Sequence, residues 1–336
     1  MMRKIRTFSG VAIVAALVLF GSTGSLFASV IGRYGGEFMA AGGGARSLAM
    51  GGAAVAVESE PWALFWNPAG LAHVTRPHLG LMHSERFAGV VDYDAVSYAA
   101  LQPDDKVLAV GMIRLGVNGI PFTRAEIPGQ PIGQQNRVEI DKIVSSGEYA
   151  FYAARAGNYT LNWSFLKGFG FDWGVAPKLI FKHIGSYRAY GIGLDAGISR
   201  RFGNKRWLSV GAAAKDVCGT VMAWEQTGRK EIIIPTASAG VAFGLPLPAL
   251  EADLTFAADG SYRTESFGES SAGAAHLGFE YLVRKVFALR VGADDGEPTF
   301  GGGINLKPVS IDYAYIGHDQ LGETHRISVT ARWGGN

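Results

Sequence analysis

Seven histidines, one cysteine and a scatter of carboxylates are the residues with which this chain could do chemistry. The histidines are His73, His78, His83, His183, His276, His318 and His325. A metal site needs ligands gathered on one face, as two histidines one helical turn apart provide. No such spacing occurs. His78 and His83 are five residues apart, which in a strand places them on opposite faces. A Ser/His/acid site can be written from His83, Ser84 and Asp92 or Asp94, and geometry would decide whether it assembles. Gly42-Gly43-Gly44 lacks the Gly-Lys-Ser/Thr ending of a phosphate loop. Cys218 has no second cysteine for an internal disulfide, and a lone thiol needs an electropositive setting to react. The residues therefore point to no catalytic site, no metal and no cofactor, and the chain does not read as an enzyme.

The elements that hold these residues are those of an exported protein. Arg3, Lys4 and Arg6 precede a short apolar run over residues 11–20, too short to span a bilayer comfortably. Ser25-Leu26-Phe27-Ala28 offers a cleavage site after Ala28, so residues 1–28 read as a secretory signal. Of 31 Lys+Arg, three lie in that signal, leaving 28 against 29 Asp+Glu. A near-neutral mature chain argues against a nucleic-acid partner, which would want a basic face. Glycine, at 47 of 336 residues, is well above its usual share, without a Gly-X-Y period.

From residue 76 onward, period-2 alternation recurs. Ala252, Leu254, Phe256 and Ala258 share one face, and Glu251, Asp253, Thr255 and Asp259 the other. Ile192, Leu194, Ala196 and Ile198 alternate with Gly193, Asp195, Gly197 and Ser199. Phe287, Leu289 and Val291 alternate with Ala288, Arg290 and Gly292, and Ile327 and Val329 with Arg326 and Ser328. Such strands have one dry and one wet face. A soluble sandwich turns the dry face inward, whereas a transmembrane barrel turns it toward lipid around a polar lumen. The signal, aromatic strand ends and uneven loops favour the barrel. Tyr93, Tyr98, Trp173, Phe181, Trp207, Tyr281, Tyr313, Tyr315 and Trp333 are candidates for interfacial girdles.

About fourteen strands fit over residues 76–333, an even number as bacterial barrels require. Tight connections near 102–105, 202–205, 245–249, 284–285 and 307 alternate with longer ones at 118–145, 217–231, 260–273 and 317–323. Residues 157–169, with Trp163, Phe165 and Leu166, fall on the short side yet are long, and read as an interfacial segment.

Between signal and strands lies a stretch rich in glycine and alanine. It runs Gly43-Gly44-Ala45-Arg46-Ser47-Leu48-Ala49-Met50-Gly51-Gly52-Ala53-Ala54-Val55-Ala56, then Phe65-Trp66-Asn67-Pro68-Ala69-Gly70-Leu71. With little apolar surface it cannot build its own core, but it can pack tightly inside another. Asn67-Pro68 favours a turn. Residues 29–75 thus read as a hatch inside the barrel. Arg46 would lie in the lumen, where a charge must be paired or hydrated. Asp195, Asp253, Glu280 and Asp312 are its candidate partners. Trp62, Phe65 and Trp66 either pack the hatch against the wall or line a hydrophobic-ligand pocket.

Over residues 36–72 this order and spacing resembles the hatch of the FadL-like outer-membrane proteins, in particular their PorV/PorQ branch. The residues that carry the likeness are Gly44, Ala45, Arg46, Met50, Gly51, Gly52, Asn67, Pro68 and Ala69. Ile311-Asp312-Tyr313-Ala314-Tyr315 and the segment from Leu321 to Ser328 also resemble that branch. The resemblance implies a bacterial outer-membrane barrel for passive diffusion of small hydrophobic compounds. Its partners would be membrane lipid and a hydrophobic molecule in the lumen. The alternative that the branch implies is a non-conducting barrel that binds secretion or surface proteins through its loops.

Overall fold

The computed structural model describes residues 36–86, 89–161, 168–203, 207–264, 271–317 and 323–334. The signal expected over residues 1–28, the first part of the expected hatch, and Trp163, Phe165 and Leu166 lie outside them.

Sixteen strands are present among the described residues. They are β1 (His78–Arg86), β2 (Val91–Leu101), β3 (Val107–Ala125), β4 (Val138–Leu161), β5 (Phe169–Ile184), β6 (Tyr187–Phe202), β7 (Trp207–Lys215), β8 (Thr220–Trp224), β9 (Lys230–Ile233), β10 (Thr236–Leu247), β11 (Ala252–Thr264), β12 (Ser271–Val283), β13 (Phe287–Asp294), β14 (Glu297–Leu306), β15 (Val309–Ile316) and β16 (Thr324–Arg332). Fourteen of them, all but β8 and β9, pair antiparallel in one ring that closes where β1 meets β16. Closure removes the unpaired edges that an open sheet would expose. The remaining two form a hairpin whose β8 pairs with the first half of β6.

Alternation sets the facing of every strand. On β16, Ile327 is 54% exposed on the outside, whereas Arg326 and Ser328 are 3% and 1% exposed on the inside. Phe256, Leu289, Ile192 and Val291 likewise face out, and Thr255, Asp259, Arg290 and Asp195 face in. The wet face is enclosed and the dry face is bare, the reverse of a soluble sandwich and the pattern of a barrel in lipid.

Three of the expected connections change. The connection expected at 118–145 is largely strand, because β3 and β4 continue to Ala125 and from Val138 as a projecting hairpin with two register shifts. The connection at 217–231 holds β8 and the start of β9. Residues 157–161 belong to β4 rather than to an interfacial segment. Among the expected girdle aromatics, Tyr98 and Trp333 stack on the outside with centroids 6.1 Å apart. Tyr93 and Trp207 instead point inward: Tyr93 donates to the Gly42 carbonyl at 2.7 Å, and Trp207 lines an interior cavity. Their parity within β2 and β7 decides this, and aromatic content alone does not report it.

Candidate functional site

The interior is occupied by residues 36–74, which precede β1. Short pitch and small side chains keep this segment compact. Its elements are α1 (Glu37–Ala40), α2 (Ala45–Ala49), α3 (Ala63–Trp66) and a 3-10 turn over Pro68–His73. Asn67 caps that turn, its side-chain oxygen accepting from the Ala69 amide at 3.1 Å, with Pro68 at the first helical position where no amide is needed.

The segment has almost no free surface. Ala45, Ala49, Met50, Ala53, Ala54, Ala63, Ala69 and Leu71 are fully buried. The ring meets it with glycines at points of backbone contact. A Cβ on Gly278 would lie 2.6 Å from the Met50 carbonyl oxygen, and one on Gly174 would strike Pro68 and Ala69. Gly292 similarly abuts the Gly51 amide. Part of the high glycine content is therefore wall thickness removed where the segment must approach.

Polar clasps hold it at intervals. The Ala45 amide donates to Ser328 Oγ at 3.0 Å, and the Gly51 amide to Thr299 Oγ1 at 3.0 Å. Gly51 O lies 3.1 Å from His276 Nδ1. Asn67 Nδ2 donates to the Val55 carbonyl at 2.8 Å and to Ile198 O on β6 at 3.2 Å. Arg46 forks onto Glu280, one of the four partners considered for it. Burial opposes the charge on Arg46, but the Glu280 carboxylate more than offsets that and raises its pKa. Glu280 also takes Arg290, which reaches Asp312 at 2.8 Å, so the carboxylates at this end are matched by cations. Arg332 bonds Glu60 and Ser310 beside them.

Two cavities flank the segment. One of about 240 Å³ lies at the short-turn end, lined by Arg46, Glu60, Trp207, Glu280, Arg290 and Arg332 among others. One of about 520 Å³ lies at the long-loop end, with Leu48, Val55, Trp66 and Ile316 beside Lys215, Asp259, His276 and Arg326.

The three aromatics divide between these environments. Trp62 donates to Thr330 Oγ1 at 3.0 Å and packs over Gly80. Phe65 sits edge-on to Tyr152 with centroids 5.3 Å apart. Both are nearly fully buried, and neither lines either cavity. Trp66 does line the larger one, its Nε1 bonded to Gly43 O at 2.8 Å and Lys215 lying over its ring. Gly44 and Gly52 adopt positive φ, 87° and 77°, as the tight bends there require.

The trio written from His83, Ser84 and an aspartate does not assemble. His83 Nδ1 lies 2.7 Å from Asp94 Oδ1 on the outer face, whereas Ser84 points inward to the His325 carbonyl. Cys218 is exposed in the connection before β8. Among the described residues no group of three or more His, Cys, Asp or Glu side chains is placed to hold a metal. Sequence reading did not single out Asp259, His276, Thr299, Ser328 or Thr330 as clasps. Their inward parity was visible, but their partners lie more than 200 residues away.

No family model matches the chain, and no curated protein matches it. Solved structures do. The Pseudomonas putida toluene transporter TodX aligns with a TM-score of 0.54 at 13% identity, covering 88% of this chain and 99% of that one. A Pseudomonas aeruginosa FadL homologue aligns at 0.44 and 11% identity over 91% and 98%. At such low identity the first of these establishes a shared fold: this chain is a closed antiparallel fourteen-stranded β-barrel built like that of TodX.

Proposed function

We propose that this chain is a bacterial outer-membrane barrel of the FadL type, through which small hydrophobic compounds diffuse passively. Residues 1–28 serve as its export signal, residues 29–75 as a hatch, and residues 76–333 as the barrel. The observation that carries the reading is the bore: residues 36–74 lie buried inside it, with a vestibule at each end. A cargo then crosses only if the hatch yields, and Leu48, Val55, Trp66 and Ile316 give the larger vestibule an apolar floor. The likeness to a toluene transporter supports a hydrophobic cargo. The reading involves no enzymatic step and no cofactor.

A tether tests it. Cysteines at Ala45 and Ser328, in a Cys218→Ser background, would join hatch and wall where the Ala45 amide already meets Ser328. Expected are normal folding, loss of uptake of a radiolabelled hydrophobic compound in the oxidised form, and recovery on reduction. Equal uptake in both forms rejects a yielding hatch.

A second reading is favoured by the projecting β3–β4 hairpin. Its outward face carries Val138, Ile140 and Ile143, which are 50%, 64% and 68% exposed. Its inward face is closed by Arg124 with Glu139 and Asp141, and by Lys142 over Phe122. Such an arm suits a non-conducting, PorV-like accessory that binds secretion or surface proteins. Under this reading the tether leaves partner capture unchanged.

A further inference from the structure

Among the described residues, the buried carboxylates of the bore have Lys or Arg partners except two: Asp172, whose ion-pair partner is His73 at 3.2 Å, and Asp259, which has none. Glu280 takes Arg46 and Arg290, Asp312 takes Arg290, and Lys178 lies 2.7 and 2.9 Å from Asp195 and Asp216. Asp259 on β11 is 6% exposed and has no Lys or Arg within 4 Å among the described residues. Its Oδ2 accepts from two consecutive hatch amides, Ala54 N at 2.6 Å and Val55 N at 2.7 Å. Its Oδ1 has no hydrogen-bond partner among the described residues.

We propose that Asp259 is an acid-sensitive clasp on the hatch, closed while its carboxylate is ionised and released when a proton reaches it through the larger vestibule. The inference rests on the hatch reading above but not on what the barrel carries. His276 stands opposite Asp259 in the β11–β12 ladder without an ion-pair contact to it, so what Asp259 holds is the charge-assisted bond from its carboxylate to the two hatch amides. The route exists, because Asp259 itself lines the cavity of about 520 Å³ at the long-loop end. Protonation removes the charge that makes Oδ2 a strong acceptor for two amides.

The neighbouring charges do not replace it. His276 on β12 is engaged by Asp294 of β13 at 2.9 Å and by Gly51 O. Arg263 holds Glu37, Arg326 reaches Ala41 O and the Tyr93 ring, Arg86 lies over the same ring, and Lys215 lies over Trp66. Asp295 stands beyond Asp294 in the turn. His276 Nδ1 faces two acceptors, Asp294 Oδ1 at 2.9 Å and Gly51 O at 3.1 Å, so its contact with Gly51 does not depend on the Asp259 carboxylate. Gly51 also stays on Thr299. Acidification therefore frees the stretch after Gly52 while the turn before it remains pinned.

The test is amide hydrogen exchange on the purified protein in lipid nanodiscs, corrected for intrinsic rates, for peptides covering residues 52–57. Protection is expected to fall about tenfold between about pH 7.5 and about pH 5, and reversibly. Asp259→Asn should show the low protection at both values, with no pH step. His276→Gln should keep the wild-type step. A wild type without the step, a step surviving in Asp259→Asn, or a step lost in His276→Gln would each overturn the proposal. The wild type and His276→Gln suffice if Asp259→Asn does not fold. The readout is hatch mobility, so failure here leaves the transport reading to its own uptake test.

Discussion

Arg46 and Glu280, 234 residues apart in the chain, meet as a two-pronged ion pair inside the ring, Nε to Oε2 at 2.9 Å and Nη2 to Oε1 at 2.8 Å. The fork orients the segment before β1 against the wall, because a planar guanidinium meets a carboxylate edge to edge.

Removing one side of this pair should cost more than removing a surface salt bridge. Arg46→Ala leaves Glu280 with Arg290 alone and is expected to destabilise the barrel by about 1–3 kcal/mol. Arg46→Lys keeps the charge and loses the fork, so an intermediate loss is expected. Guanidinium unfolding midpoints in detergent, followed by the heat-modifiable shift on gels, measure both. Equal midpoints for wild type and Arg46→Ala would refute the anchoring role.

The outer face is expected to pay for charge by depth. Phe256→Arg should cost about 2–4 kcal/mol on folding into lipid vesicles if the site lies near the midplane. The same change at Ile140, on the projecting hairpin, should stay within about 0.5 kcal/mol. Similar losses at both positions would argue against a membrane band bounded below that hairpin.

Wall glycines in contact with residues 50–69 should not tolerate a side chain. Gly292→Ala places a methyl against the backbone of Met50 and Gly51, with no flexible side chain to give way. A loss of about 1–3 kcal/mol is expected, as for overpacked cores. Gly260→Ala, where nothing lies within 4 Å, serves as the control and should be near neutral. Thermal unfolding of the two variants side by side decides the point.

If the barrel serves as a docking accessory, the outward face of the β3–β4 arm is where partners bind. Ile140→Asp with Ile143→Asp should then reduce co-purification of a crosslinked partner at least tenfold and leave hydrophobic uptake unchanged. Under the transport reading neither quantity moves. Crosslinking in whole cells, with and without the pair of substitutions, separates the two.

Much of the barrel was legible because alternation is a local signal. Each stretch such as Leu254–Ala258 or Ile327–Ala331 reports its own two faces, and the ring has the fourteen strands expected. The projecting hairpin was not legible. Pro121, Gly129, Pro131 and Gly133 read as loop, and what extends β3 and β4 is their pairing with each other. The facing of Tyr93 and Trp207 was misread for a related reason: an aromatic at a strand end suits either an interface or a packed interior, and only the register chooses.

The amino-acid sequence by itself determined the antiparallel barrel, the sign of its two faces and the glycine- and alanine-rich segment that precedes β1. These follow from period, composition and order along the chain. Tertiary structure decided which of four carboxylates meets Arg46, which glycines thin the wall, and that Asp259 alone among the bore carboxylates described here holds backbone without a cation. Those are contacts between residues more than 100 positions apart. No periodicity encodes them, because they depend on how far each strand is sheared against the next when the ring closes.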